Sequence, residues 1–158
     1  MAQAVPGPVA ARLKELGVTL PEAAKPIANY VPAVITGDLL FVSGQVPMRE
    51  GKIAYTGKLG ATVQVEIGQQ AAQLCFINVL AQARAALGSL DRITRVVRLG
   101  GFIAAVPEFT QHAQVMNGAS DMAVAVFDDI GRHARTTIGV PSLPGDAAGE
   151  VEAVFEIA

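Results

Sequence analysis

The sequence predicts an α+β domain in which a mostly antiparallel sheet is covered on one face by two helices. Three observations lead to this fold class. Residues 65–87 contain no proline and carry apolar side chains at helical spacing, residues 150–157 alternate between apolar and mostly acidic side chains, and a glycine-aspartate pair at 37–38 separates two short apolar runs. The length of 158 residues is that of one domain.

Each element is predicted from a local pattern. The first half of the chain is expected to hold a short helix over 9–17, an extended connection over 21–32, hairpin strands over 33–36 and 39–46, and one more short strand within 51–60. The second half is expected to hold a helix over 65–87, a strand over 93–105, a helix over 113–129, and strands over 133–140 and 150–157.

Some patterns predict which side chains share a face. The long helix should bury one apolar face and end at Gly88. That face is formed by Ala72, Cys75, Phe76, Val79, Ala83, Ala86 and Leu87. In strand 133–140, the set Ala134, Thr136, Ile138 and Val140 is expected to face the helices, which leaves His133, Arg135 and Thr137 on the opposite face.

Glycines mark two further positions. The pair Gly100-Gly101 indicates a bulge or a close backbone approach. The pair Asn117-Gly118 interrupts a helical pattern, which favours a helix N-cap at that point and leaves a site residue as the alternative.

Composition excludes several classes of protein. Hydrophobic residues make up 51% of the chain, so it is not a disordered protein, and no apolar stretch is long enough to span a membrane. The net charge is −2 and the basic residues are scattered, apart from Arg92, Arg95 and Arg98, so we expect no nucleic-acid partner. Only 16% of the residues are charged, which indicates that part of the surface is buried against copies of the same chain.

The single cysteine and the N-terminus bear on location. Cys75 alone forms no intrachain disulfide and fits a reducing compartment. The first residues lack the basic and apolar regions of a secretory signal, so a cytoplasmic protein is expected.

The sequence contains no nucleophile elbow, phosphate-binding loop or dinucleotide fingerprint. Its two histidines, His112 and His133, do not have metal-ligand spacing, so no metal and no cofactor is expected. Arg135 lies between small residues on a strand, where it either binds a carboxylate or pairs with Glu150 or Glu152 across the sheet.

Three more positions have two interpretations each. Glu150 is either a general acid/base or an exposed strand carboxylate. Gly44, in the step Ser43-Gly44-Gln45, belongs either to a pocket wall or to hydrogen bonding at a strand end. Tyr30 is either a pocket lid or a packing residue.

Several segments together carry a family resemblance. They are ANYVPAVITGDLLFVSGQVP, LCFINVLAQARAALGSLDRITRVVRLGGFIA, VMNGASD, GRHARTTIGVPSLP and EVEAVFEIA. In these runs the chain resembles the reactive intermediate deaminase (Rid/YjgF) superfamily, and its length resembles the longer branch of that superfamily. The resemblance divides the chain into an N-terminal extension with a short helix, residues 1–27, and a Rid/YjgF-like domain, residues 28–158.

The resemblance implies a chorismate-mutase-like fold and a homotrimer with clefts between subunits. It implies a hydrolase that converts reactive 2-enamino or 2-imino acids into 2-oxo acids and ammonia, without a cofactor. The alternative is a non-catalytic homotrimer that binds a small carboxylate metabolite in the same clefts. Ribonuclease activity has also been attached to the superfamily, and the acidic chain argues against it here.

The resemblance also implies roles for individual residues. Arg135 matches the arginine that grips the substrate carboxylate, and Glu150 matches the glutamate that orients the hydrolytic water. The matched substrate-binding positions are Tyr30, Gly44, Asn117 and Thr137. His133 is a further candidate, and it stands where the family usually has proline; Thr137 stands where cysteine or serine is frequent.

Overall fold

The computed structural model describes residues 5–26 and 28–158. Residues 1–4 and 27 of the predicted extension lie outside the described residues. The helices and strands, in chain order, are α1 (Pro8–Glu15), β1 (Ala33–Thr36), β2 (Leu39–Gln45), β3 (Met48–Arg49), β4 (Lys52–Ile53), α2 (Val65–Leu87), β5 (Ile93–Ala104), α3 (His112–Phe127), β6 (Ala134–Val140) and β7 (Gly149–Ile157).

Five of the strands form one twisted layer in the order β1-β2-β7-β5-β6. All neighbouring pairs are antiparallel except β5 and β6, which run parallel because α3 carries the chain back between them. The two-residue strands β3 and β4 pair only with each other. The predicted α+β class, with a mostly antiparallel sheet, is confirmed.

The helices α2 and α3 cover one face of the sheet, and the core lies between the two layers. Of the seven apolar positions predicted for the long helix, six are buried and Ala86 is exposed. Gly88 ends α2 with a φ of 79°, a left-handed conformation that glycine adopts without a steric penalty. Cys75 is fully buried, and its thiol donates a hydrogen bond to the carbonyl oxygen of Gly149 at 3.6 Å.

Residues 5–26 pack onto the domain. Leu13 of α1 and Leu20 are buried in the same core as α2 and α3. The Arg12 Nε donates to the carbonyl of Ala125 on α3, and the Gln82 Nε2 donates to the carbonyl of Ala24. A domain boundary near residue 27 stays a prediction, but the segment before it contributes side chains to the core.

The structure confirms the prediction made at Gly100-Gly101 and contradicts the one made at Asn117-Gly118. A side chain at Gly101 would collide with Met116, and one at Gly100 would collide with Glu152, so the predicted close approach is confirmed. The N-cap prediction at Asn117-Gly118 is wrong, because α3 begins at His112 and continues through both residues. Gly118 has a packing role instead: a side chain there would collide with the backbone of Gln69 on α2.

The predicted faces of β6 are reversed in the structure. Arg135 pairs in register with Leu99, which points into the core, and the Arg135 side chain contacts α3. Ala134, Thr136 and Ile138 lie on the open face of the sheet and are exposed. Alternation separates two faces of a strand but does not say which one meets the helices. β6 is an edge strand, and α3 presents polar side chains to it, so the helix-facing positions need not be apolar.

Among the residues that the structure describes, no helix is long and apolar enough to cross a membrane. Within residues 5–26 and 28–158, no three His, Cys, Asp or Glu side chains lie close enough together to hold a metal ion.

Candidate functional site

Arg135 is held by two side chains of α3. Its Nη1 donates to Asn117 Oδ1 at 2.8 Å and to Ser120 Oγ at 3.1 Å. Asn117 and Ser120 are three residues apart on the helix, so they lie on the same face, above β6. The structure therefore brings together Arg135 and Asn117, two of the predicted site residues, whereas the alternative pairing of Arg135 with a β7 glutamate is wrong. Glu152 instead pairs with Arg98 at 3.2 Å on the open face.

His133 joins this group from the end of the turn before β6. Its Nδ1 lies 2.6 Å from the carbonyl oxygen of Gly131, and its Nε2 lies 2.9 Å from Ser120 Oγ. Burial lowers the pKa of His133 below its ordinary value. The Gly131 carbonyl opposes this effect, and the positive charge of Arg135 adds to it. The imidazole is therefore neutral at physiological pH.

Thr137 lies two residues beyond Arg135 on the same face of β6. Its hydroxyl oxygen is buried and has no hydrogen-bond partner within residues 5–26 and 28–158. A buried hydroxyl without a partner is destabilising by about 1–3 kcal/mol and calls for an explanation in a folded protein. We name Asn117, Ser120, His133, Arg135 and Thr137 the arginine cluster.

Glu150 lies on the open face of β7 beside Gly44 of β2. A side chain at Gly44 would collide with Glu150 Oε1, so a larger residue there would displace the Glu150 carboxylate from this position. Glu150 is half-buried and takes part in no ion pair of the described residues. Burial raises the pKa of Glu150 above its ordinary value, and the nearby charge of Glu152 raises it further. We name Glu150, Gly44 and Tyr30 the glutamate cluster.

Tyr30 is 53% exposed and borders a cavity of about 470 Å³ with Gly44. The other walls of the cavity are residues 21–26, the β2–β3 connection and the polar side chains of Asn78 and Gln82. Two of the predicted substrate-binding residues, Tyr30 and Gly44, therefore share one concave surface.

The two clusters lie apart within one chain. Glu150 pairs with Phe102 of β5, which pairs with Ile138 of β6, three residues from Arg135. Strand spacing and rise place the Cα atoms of Glu150 and Arg135 roughly 14 Å apart. The two side chains also point to opposite faces of the sheet. A small molecule held by Arg135 cannot reach Glu150 of the same chain.

Ser120 was missed by the reasoning from sequence. The only signal is its spacing of three from Asn117, which puts the two side chains on one helix face. Its contacts with His133 and Arg135 arise because β6 returns beneath α3, which no local pattern indicates.

Comparison with known proteins identifies the family. A family model described as "YjgF/chorismate mutase-like, putative endoribonuclease" matches residues 10–156. The chain belongs to the YjgF family. The resemblance to the Rid/YjgF superfamily and the expected chorismate-mutase-like fold are thereby confirmed.

Individual proteins are similar to this chain over most of their length and of its own. Protein TCP17 of Trypanosoma cruzi is 49% identical, over 96% of this chain and 95% of its own. The crystal structure of Atu1372 from Agrobacterium tumefaciens, of unknown function, is 52% identical with a TM-score of 0.90, over 96% of this chain and 93% of that one. The structure of E. coli TdcF with bound serine is 27% identical with a TM-score of 0.60, over 87% and 94%.

Proposed function

We propose that this YjgF-family protein hydrolyses 2-enamino and 2-imino acids to 2-oxo acids and ammonia, in clefts between the subunits of a homotrimer. The observation that carries this proposal is the separation of the two clusters. The arginine cluster has a carboxylate-binding group, and both ring nitrogens of its histidine are already hydrogen-bonded to Ser120 and Gly131. The glutamate cluster has an acid/base and no carboxylate-binding group. A cleft between two copies would bring the arginine cluster of one subunit next to the glutamate cluster of the other.

The open face of the sheet supports contact between copies. Val34, Phe41 and Ile138 lie on this face and are 43–49% exposed, an amount unusual for large apolar side chains on one surface. The low content of charged residues, 16%, also favours burial of part of the surface between copies. A heterologous interface in a closed ring places different halves of the surface against each other, as the two clusters require.

Arg135 suits the carboxylate of the substrate. A guanidinium presents pairs of parallel donors that match the two carboxylate oxygens, and it stays charged at every physiological pH. TdcF, which is similar to this chain, was crystallised with serine, a small amino acid that carries a carboxylate. Thr137 lies beside this position and offers its hydroxyl to the bound ligand or to the adjoining subunit.

Glu150 of the adjoining subunit performs the proton transfers. In its protonated form it donates a proton to the terminal carbon of an enamine such as 2-aminoacrylate, which gives the iminium. The resulting carboxylate then accepts a proton from the water that attacks the iminium carbon. The tetrahedral intermediate loses ammonia and forms the carbonyl of pyruvate. Burial and the charge of Glu152 raise the pKa of Glu150, which favours the proton-donating form more than in an ordinary glutamate.

Because Gly44 has no side chain, the Glu150 carboxylate lies against its backbone, and backbone groups around Gly44 are placed to contact the substrate nitrogen. The free Cys75 thiol suits a reducing compartment, so we place this reaction in the cytoplasm.

The test compares turnover with binding in a Glu150→Gln variant. Glutamine keeps the shape but cannot exchange a proton, so kcat for pyruvate formation should fall by about 10²–10⁴-fold. Binding of pyruvate, measured by calorimetry, should change little because Arg135 still holds the carboxylate. Glu156→Gln is the matched control, since Glu156 lies on the same face of β7 and is exposed.

A non-catalytic carboxylate-binding trimer gives a different result. It binds pyruvate with parent affinity in the Glu150→Gln variant and shows no pyruvate formation above the spontaneous rate even in the parent. The replacement of the usual family residues by His133 and Thr137 makes this the alternative that the experiment must separate.

A further inference from the structure

The proposed function uses Arg135 but gives no role to the two side chains behind it. Ser120 and His133 link Arg135 to the backbone by a continuous chain of hydrogen bonds. Arg135 Nη1 lies 3.1 Å from Ser120 Oγ, Ser120 Oγ lies 2.9 Å from His133 Nε2, and His133 Nδ1 lies 2.6 Å from the Gly131 carbonyl oxygen.

The partners fix the direction of each hydrogen bond. A carbonyl oxygen only accepts, so the proton of the His133 ring is on Nδ1. In a neutral imidazole the other nitrogen then accepts, so the Ser120 hydroxyl donates to His133 Nε2. The remaining lone pairs of Ser120 Oγ are free to accept from Arg135, which has only donors.

This arrangement decides which edge of the guanidinium is available. The two protons of Arg135 Nη1 are used by Asn117 Oδ1 and Ser120 Oγ. Nε and Nη2 of Arg135 donate to no side chain or backbone group of the described residues. These two nitrogens form one complete edge with parallel donors, the geometry that binds a carboxylate through both oxygens.

We propose that Ser120 and His133 are positioning residues that hold Arg135 with its Nε–Nη2 edge presented to the substrate carboxylate. The identity of the ligand rests on the proposed function, whereas the hydrogen-bond chain is a property of the ligand-free protein. Proline, which usually occupies the position of His133 in the family, can neither accept nor donate through its side chain. The relay is therefore not part of the usual family motif.

A first experiment tests the relay without any ligand. In ¹⁵N NMR spectra of the side chains, the parent should show His133 neutral with its proton on Nδ1, and Arg135 with slow rotation of its Nη1 group. Ser120→Ala should speed up that rotation, because one of the two acceptors is gone. A proton on Nε2 of His133 in the parent, or an Arg135 signal that does not respond to Ser120→Ala, would overturn the proposal.

A second experiment measures the consequence for binding. Ser120→Ala should raise the Kd for pyruvate and the KM for 2-aminoacrylate about tenfold, the effect expected from losing one hydrogen bond to a charged group. The value of kcat should change little, because the carboxylate contact is the same in the ground state and the transition state.

Variants of His133 separate positioning from simple packing. His133→Leu should act in the same direction as Ser120→Ala, whereas His133→Gln should restore affinity because the glutamine amide oxygen accepts from Ser120. Ser142→Ala and His112→Gln are controls for the same chemical changes outside the arginine cluster. Equal losses in His133→Leu and His133→Gln would contradict a hydrogen-bonding role.

The failures of the two proposals are distinguishable. If the parent neither binds pyruvate nor accelerates its formation, the proposed function fails, and the NMR experiment alone decides the relay. A second outcome concerns nucleophilic chemistry. Ser120 Oγ lies 2.9 Å from His133 Nε2, a distance at which a histidine can activate a serine as a nucleophile. Covalent labelling of Ser120 by a fluorophosphonate would make Ser120 a nucleophile and would overturn the positioning role.

Discussion

The separation of the two clusters predicts complementation between inactive variants. Arg135→Lys removes the paired donors from one half of each cleft, and Glu150→Gln removes the acid/base from the other half. Each variant alone should be almost inactive. When both are co-expressed with different tags and assemble at random, some clefts receive parent Arg135 from one subunit and parent Glu150 from the next.

The expected recovery follows from the symmetry of the assembly. In a closed ring of random 1:1 composition, each cleft draws its two halves independently, so about one quarter of the clefts contain both parent residues. Pyruvate formation from 2-aminoacrylate should therefore recover to about one quarter of the parent rate in the unfractionated assembly, and to about one third in purified trimers that contain both variants, since each of these has one complete cleft among three. Mixing the same proteins without subunit exchange is the control. Mixed trimers that stay inactive would refute a shared cleft, because a site within one chain always keeps one of the two substitutions.

Three further outcomes follow from single positions. Arg135→Lys should abolish most of the pyruvate binding seen by calorimetry, with an unchanged circular dichroism spectrum, because lysine keeps the charge but loses the paired donors; unfolding of this variant would make Arg135 structural. Glu150→Gln should increase the free energy of unfolding in urea at pH 7–8, because the raised pKa of Glu150 means that its ionised form is less favourable in the folded state than in the unfolded state. The gain should vanish as the pH falls toward 4.5, because the parent carboxyl becomes protonated, first in the folded state. A gain that grows at low pH would contradict this direction of the pKa shift. Gly118→Ala should lower the free energy of unfolding by about 1–3 kcal/mol, since the new methyl group meets the backbone of α2; an unchanged urea midpoint would show that the two helices can separate at no cost.

Long local patterns predicted the fold well. The helix over 65–87 combines many apolar positions at one period with a terminal glycine, and the strand over 150–157 alternates with Val154 as its one departure, so the predicted bounds of both lie within a residue of the observed ones. The hairpin around Gly37-Asp38 was placed equally well, since two residues between strands leave few alternatives.

The candidate site was less predictable because it depends on how elements pack together. The alternation in β6 separates two sets of side chains but does not indicate which set faces the helices. That depends on the polar surface of α3 and on the edge position of the strand. Gly118 has the pattern of a helix boundary, yet it lies within α3 because α2 passes close to its backbone. Ser120 gains its contacts from residues that follow it by more than ten positions in the chain.

Deamination by this protein is tested by the rate of pyruvate formation when the purified parent protein is added to 2-aminoacrylate generated in situ. Pyruvate should form faster than by spontaneous hydrolysis, in proportion to the protein concentration and with one ammonia released per pyruvate. Arg135→Lys at the same concentration should return the rate close to the spontaneous one. If the parent protein binds pyruvate but does not raise the rate above that of spontaneous hydrolysis, the proposed enzymatic activity is contradicted. The protein would then be a carboxylate-binding protein without catalysis.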